Sequence, residues 1–291
     1  MNSEYQQSYP HGIMFHRFYG DNIPVLQGAI DSNQLENLIL KIGIERILSP
    51  NEWLDKTRNN RLENHHVCLT FDDCLKSQIL VADPILKKYN LTAFYFIHSL
   101  TFFGEIDFNE VFSNIISSKY HSIDEFMNDF VSYINLDEDV FFDKKYITFH
   151  ELMKSNYSFY SNSDIRYRYL RNIFYGYASF NKLMKKYFTE KNYMDNIDVK
   201  SIWMDENDLS SLSKSGNMIG LHSYSHHINF KDLSYDEQKQ EYEKNKAHLE
   251  NLIGYKITSA SHPLGSYNLD TIKIFNELAI ECAFRSNNSI P

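Results

Sequence analysis

Two short apolar runs with a helical stretch between them constrain this chain more than any other feature. Val67-Cys-Leu-Thr-Phe71 is compact, rich in strand-forming residues, and ends abruptly in Asp72-Asp73; Thr92–Ile97 is a run of the same kind. From about Ser77 to Tyr89 the apolar residues recur at helical spacing. Strand, helix, strand at this spacing is the βαβ unit of a parallel sheet. Parallel neighbours cannot be joined by a tight turn and need such a crossover.

The same alternation continues on both sides. Gly12–Phe18 reads as a strand and Ser32–Gly43 as an amphipathic helix. Beyond residue 200 come a helix at Asp205–Ser215, a strand at Met218–Leu221 and a long charged helix, Ser234–Leu252, opened by the capping box Ser234…Glu237. A strand around Ile257–Ser261, a helix at Leu269–Leu278 and a last strand at Cys282–Arg285 follow. The stretch from Gly104 to Val199 differs. Asn109–Ser117, Ile123–Ile134, Phe149–Lys154 and Ile165–Phe188 have helical periodicity, and β-like runs are scarce. The expected organisation is an α/β core in two parts, 1–103 and 200–291, interrupted by a mostly helical insertion, 104–199. An insert at one end of a sheet is expected to act as a lid or substrate wall.

Composition narrows the function classes. With 29 Lys+Arg against 38 Asp+Glu the formal charge is −9, which disfavours nucleic acid and anionic membrane as partners. Hydrophobic residues at 43% and charged residues at 23% suit a full-sized globular core. The longest apolar runs fall far short of the roughly 18 residues of a membrane span. The start, MNSEYQQSYPHG, has neither the basic opening nor the apolar core of a secretory signal. A cytoplasmic protein without an integral membrane segment is the expectation. Three cysteines, Cys68, Cys74 and Cys282, with no CxxC spacing indicate no disulfide framework.

Chemistry is expected where strands end. Asp72 and Asp73 follow one strand, and His222 and His226 follow another; in parallel α/β folds these positions face the active crevice. Adjacent carboxylates on an extended backbone point to opposite sides, so one can bind a metal while the other approaches a substrate. The i, i+4 spacing of His222 and His226 would bring both imidazoles to one side of a helical turn. One carboxylate and two imidazoles match a catalytic zinc-type site, with three protein ligands and one open position. Taken singly, an Asp pair is as readily a helix N-cap with a first-turn acid, and His pairs arise easily among 12 histidines.

Leu69-Thr-Phe-Asp-Asp-Cys74 resembles the first motif, TFDDG, of the polysaccharide deacetylases, the NodB-homology enzymes of carbohydrate esterase family 4. Ile219-Gly-Leu-His-Ser-Tyr-Ser-His226 resembles their second motif, HSxxH, and Ser261-His-Pro-Leu-Gly-Ser-Tyr267 the third. The resemblance covers roughly 1–100 and 200–291, with the motifs in the family's order. It implies a distorted (β/α) barrel, one divalent metal, zinc foremost, held by Asp73, His222 and His226, and Asp72 as general base. A backbone N–H near the first motif would help to hold the oxyanion. It further implies removal of an N-acyl group, acetyl or formyl, from an amino sugar, in a nucleotide- or lipid-linked precursor of a bacterial surface polysaccharide.

The departures define what must be checked. Cys74 stands where the family has Gly, which matters if the backbone there is left-handed. Ser261 stands where many relatives carry an Arg that orients the base. The family's C-terminal catalytic His has no counterpart before Pro291. Some relatives instead carry a His at the end of the first strand, which makes His16 the expected general acid; His98 and His262 are the other strand-end histidines, each read first as structural. His262, Arg168 and Arg171 complete the candidates as substrate contacts, the arginines gripping a diphosphate from a basic, aromatic helix face. The plainer reading of that face is a solvated surface over a Tyr/Phe-rich core. The rival functional reading is a catalytically degenerate relative serving as a carbohydrate-binding or assembly factor. A third is the same machinery turned on a bond other than an amide.

Overall fold

The computed structural model describes residues 9–195 and 198–286. Most of the N-terminal stretch examined for a leader, and the final Ser289–Pro291, lie outside the described residues. The chain divides into two compact units, one running up to Asp107 and resuming at Lys200, the other spanning Phe108–Val199.

The first unit is built on six parallel strands in sequential order: β1 (His11–Phe15), β2 (Val67–Phe71), β3 (Phe94–Ile97), β4 (Met218–Leu221), β5 (Ser259–Ser261) and β6 (Cys282–Phe284). The sheet curls. A Cβ on Gly12 of β1 would fall 2.8 Å from the Phe284 ring of β6, so the first strand approaches the last across the interior. Gly220 of β4 is required for the same reason, since a Cβ there would lie 2.5 Å from the Phe96 ring. Glycine on two strands thus makes room for phenylalanine on two others. The result is the filled, distorted (β/α) barrel, with Cys68, Phe94, Phe96, Trp53 and Phe284 packed together.

Strand alternation then fixes what reaches the mouth. Side chains two apart share a face, so Cys68, Thr70 and Asp72 form one inward row. Phe94, Phe96 and His98 form a second, Gly220 and His222 a third, and Ser259 and Ser261 a fourth. The ladder extends past the strand ends to hold these last residues: Asp72 N–H donates to Phe15 O (3.1 Å) and His222 N–H to Ile97 O (3.2 Å).

Helices surround the sheet: α1 (Ser32–Ile42, capped by Asp31), α2 (Pro50–Arg58), α3 (Asp83–Lys88), α9 (Glu206–Lys214), α10 (Tyr235–Ile253) and α11 (Leu269–Glu277). Helix α2 is an element the hydrophobic pattern does not announce. Its start was nevertheless written in Ser49-Pro50-Asn-Glu52, a capping box with Pro in the first turn. The crossover between β2 and β3 opens with a π-helical turn, Gln78–Ala82, before α3.

The second unit holds the helices α4 (Phe108–Lys119), α5 (Ile123–Tyr133), α6 (Lys144–Asn156), α7 (Asn162–Tyr169) and α8 (Tyr177–Glu190). Its core is aromatic, with Phe112, Phe126, Phe130, Phe180, Tyr187 and Phe188 fully buried. The single helix expected over Ile165–Phe188 is two helices. A π-turn at Leu170–Phe174 and Gly176, at φ 74°, end the first and start the second. No helix among the described residues is long and apolar enough to cross a membrane.

Candidate metal centre and active site

Asp73 sits where alternation should turn its carboxylate away from the mouth. It does not turn away, because Asp73 and Cys74 both adopt left-handed backbone, at φ 75° and 60°. The turn brings Asp73 to the same side as Asp72, Oδ1 lying 3.2 Å from His222 Nε2 and 3.3 Å from His226 Nε2. One donor atom from each of these three residues falls within 4.8 Å of the others.

The expected helical turn under the histidines is absent. His222–His226 is a loop with Ser223 (φ 62°) and His226 (φ 54°) left-handed, closed by His226 N–H donating to Ser223 Oγ at 3.1 Å. Left-handed non-glycine residues each cost on the order of 1–3 kcal/mol and cluster where function over-determines the backbone. Four such residues surround this one point.

Hydrogen-bond logic tests whether the three side chains suit a cation. His222 Nδ1 lies 3.0 Å from Ser261 O, a carbonyl that only accepts, so Nδ1 carries a proton and the lone pair available to a cation is that of Nε2. That lone pair faces Asp73 Oδ1, a buried oxygen that also only accepts. Two acceptors converging at 3.2 Å with a third beside them fit a cation well. Burial alone would raise the Asp73 carboxyl, but positive charge beside it, on His226 first and then on His16 and His222, outweighs burial and holds it well below the usual range, as a cation in their midst would. The carboxylate therefore stays charged.

Asp72 lies beside this triad, only 3% exposed, with Oδ2 3.9 Å from His222 Nε2. Ser261 Oγ donates to Asp72 Oδ2 at 2.9 Å, so the short side chain in the arginine's place still reaches the carboxylate. The opposite oxygen, Oδ1, is buried with no hydrogen-bond partner among the described residues. Gln78 locks the turn from below, its Nε2 donating to the carbonyls of Asp72 (2.6 Å) and His16 (2.8 Å). Asn245 of α10 does the same for the other strands, donating to Ile97 O and accepting from His222 N–H. Cys74 is fully buried; burial pushes its thiol far up, and its carbonyl accepts from Met204 N–H.

His16 Nε2 stands 3.9 Å from Asp73 Oδ2, and its side chain is 39% exposed, at the open side of the cluster. His98 is buried with its ring 5.6 Å from that of His226, and burial lowers it to about 4. His262 is stacked between Tyr267 (4.4 Å) and Phe275 (5.0 Å), lowered to about 3 by burial and then by His222. Both of its faces are taken. Arg168 and Arg171 belong to the helical unit. Arg168 packs 4.1 Å over the Tyr160 ring, and Arg171 donates to Asn172 and Asn109. One site residue escaped the sequence reading: Asp107 Oδ2 lies 3.6 Å from His226 Nδ1. Nothing in its local pattern marks it.

Residues 165–283 match the family model described as polysaccharide deacetylase. No curated protein matches the sequence. Three solved structures share the fold over nearly the whole chain. The Streptococcus pyogenes deacetylase PplD in complex with acetate is 16% identical, covers 97% of this chain and 85% of its own, and has a TM-score of 0.55. IcaB from Ammonifex degensii is 14% identical, with 96% and 84% covered and a TM-score of 0.54. A de-N-acetylase from Aggregatibacter actinomycetemcomitans is 13% identical, with 97% and 89% covered and a TM-score of 0.53. The match reaches the His222–His226 motif but not Asp72-Asp73, which the fold carries into the same cluster. By sequence, residues 165–283 are similar to the polysaccharide deacetylases, and the whole chain shares the NodB-type (β/α) barrel fold of these three structures.

Proposed function

We propose that this protein is a metal-dependent amidohydrolase that removes an N-acyl group, acetyl or formyl, from an amino sugar. The observation that carries the reading is the buried Asp73 oxygen facing two imidazole nitrogens, with a second carboxylate, Asp72, held beside them by Ser261. Asp73, His222 and His226 would hold one divalent cation, zinc by its preference for such a donor set. When bound, that cation supplies Lewis acidity, polarising the amide carbonyl and lowering the pKa of water from 15.7 to about 7.

The remaining steps belong to the chain. Asp72 takes a proton from the attacking water as its oxygen bonds to the carbonyl carbon. Ser261 keeps the carboxylate aimed during that transfer. The C–N bond then breaks, and His16 gives the leaving nitrogen its proton. Exposure favours His16 over the alternatives, because an acid must meet an incoming substrate while His98 and His262 are closed in. A nucleotide- or lipid-linked amino sugar is the proposed substrate.

Metal content of the parent and of Asp73→Ala, purified without chelators, comes first: about one ion per chain, lost in the variant, is expected for one three-ligand site. Asp72→Asn should keep the ion while turnover of N-acylated sugars falls about 10²–10⁴-fold. Equal activity in Asp72→Asn refutes the base, and equal activity in His16→Ala refutes the acid. A parent that binds metal but turns over neither amides nor esters would favour the carbohydrate-binding reading.

A further inference from the structure

The two imidazoles of the triad are anchored differently. Behind His222, the far ring nitrogen meets a carbonyl of β5, part of the sheet itself. Behind His226 the far nitrogen faces a carboxylate, Asp107 Oδ2, at 3.6 Å, an ion-pair separation rather than a hydrogen bond. His226 stands off the sheet on a left-handed backbone, so its ring direction is not set by strand geometry. Asp107 is only 7% exposed, and a carboxylate that deeply placed is costly without charged or hydrogen-bonding company.

Asp107 does not act from an isolated position. The same short segment, which begins at left-handed Gly104, also presents Glu105, and Glu105 accepts a hydrogen bond from the Tyr224 hydroxyl. Between those two contacts Ser225 N–H donates to Glu241 Oε2 at 2.7 Å. Tyr224, Ser225 and His226 are therefore each held by a carboxylate, and only the last of these acts on a metal-donor ring.

We infer that Asp107 is a positioning residue for metal capture, holding His226 with its Nε2 lone pair turned toward Asp73. The inference rests on the proposed triad. A carboxylate behind a ligating imidazole fixes the ring and raises its basicity, and loss of such a partner costs about 10–100-fold in metal affinity. The isosteric Asp107→Asn keeps the shape and removes the charge.

The test is a cobalt(II) titration of metal-free parent, Asp107→Asn, Asp107→Ala, Asp107→Glu and Glu105→Gln, followed by the visible d–d absorption and by chelator competition. Asp107→Asn is expected to bind about 10–100-fold more weakly with an altered absorption band, while its metal-free melting temperature matches the parent's. Asp107→Glu should recover part of the loss, and Glu105→Gln should bind as the parent does. Unchanged affinity and absorption in Asp107→Asn overturn the inference, and so does a loss in Glu105→Gln as large as that in Asp107→Asn. A parent that takes up no cobalt overturns the metal reading beneath it, an outcome the parent titration alone reveals. If Asp107→Ala does not fold, Asp107→Asn decides.

Discussion

The helical unit and the mouth of the barrel treat left-handed backbone in opposite ways. Among the described residues of the helical unit the non-glycine residues with positive φ are Asn135 and Asn192, each just past the end of a helix, where Asn is among the best-tolerated residues. At the barrel mouth they include Asp73, Cys74, Ser223, His226 and, just past β5, Leu264. Polar groups diverge in the same way. In the helical unit the hydroxyls of Tyr120 and Tyr187 both donate to Asp129, which also pairs with Lys191. At the mouth, acceptors of Asp73, His222 and His226 face one another. Local preference and tertiary structure agree in one place and conflict in the other, and conflict of this kind marks sites kept for chemistry.

The largest effects should separate the two regions cleanly. Phe126 is fully buried and its ring meets those of Phe130 and Tyr120 at 5.5 and 5.4 Å. Phe126→Ala should cost about 3–5 kcal/mol in denaturant unfolding of the metal-free protein. Asp73→Gly should abolish metal binding and yet leave metal-free stability near the parent's at pH 8, since it removes a left-handed non-glycine residue along with the carboxylate. Equal destabilisation by the two would mean that the mouth is ordinary core, and the comparison would fail.

A smaller effect concerns acid. His262 is held neutral, lowered to about 3, whereas an unfolded histidine titrates near 6.5. Between those values the unfolded chain binds the extra proton, so stability rises with pH. The contribution is complete above about 6.5 and is lost as pH falls toward 3, at up to about 1.4 kcal/mol per pH unit. His262→Phe keeps an aromatic ring between Tyr267 and Phe275 and removes the titration. Its metal-free stability should fall less steeply than the parent's between pH 6.5 and 4. Parallel curves would show that His262 charges without penalty.

What the sequence revealed follows the same division. Val67–Phe71 and Met218–Leu221 were legible as strands because apolar runs bounded by polar turns have few alternatives. From them, alternation alone puts Asp72 and His222 at the mouth. The conformations of Asp73 and His226 were not legible, because propensity argues against φ above zero at such residues and only the assembled site enforces it. The i, i+4 spacing of the histidines suggested a helical turn for the same reason. Asp107 was invisible because its partner lies 119 positions away, and a lone acid ahead of a helix looks like any other. The break at Gly176 had a visible glycine, but a glycine inside a periodic run is often tolerated.

The smallest effect is the sharpest test of strain at the mouth. Cys74 is fully buried at φ 60°, where the related motif carries Gly. Burial alone ranks the substitutions one way: Ala keeps a methylene, worth about 0.8 kcal/mol, and Gly keeps nothing, so Cys74→Ala should be the more stable. Conformation ranks them the other way. An L-residue held left-handed costs roughly 1–2 kcal/mol, which Ala retains and Gly relieves. With the strain larger than one methylene, Cys74→Gly should exceed Cys74→Ala in denaturant stability by about half a kcal/mol. The paired substitutions at Asn192 should differ less, because that position already holds a residue suited to its backbone. If Cys74→Ala proves the more stable of its pair, the left-handed turn is not strained, and Asp73 reaches the histidines without conformational cost.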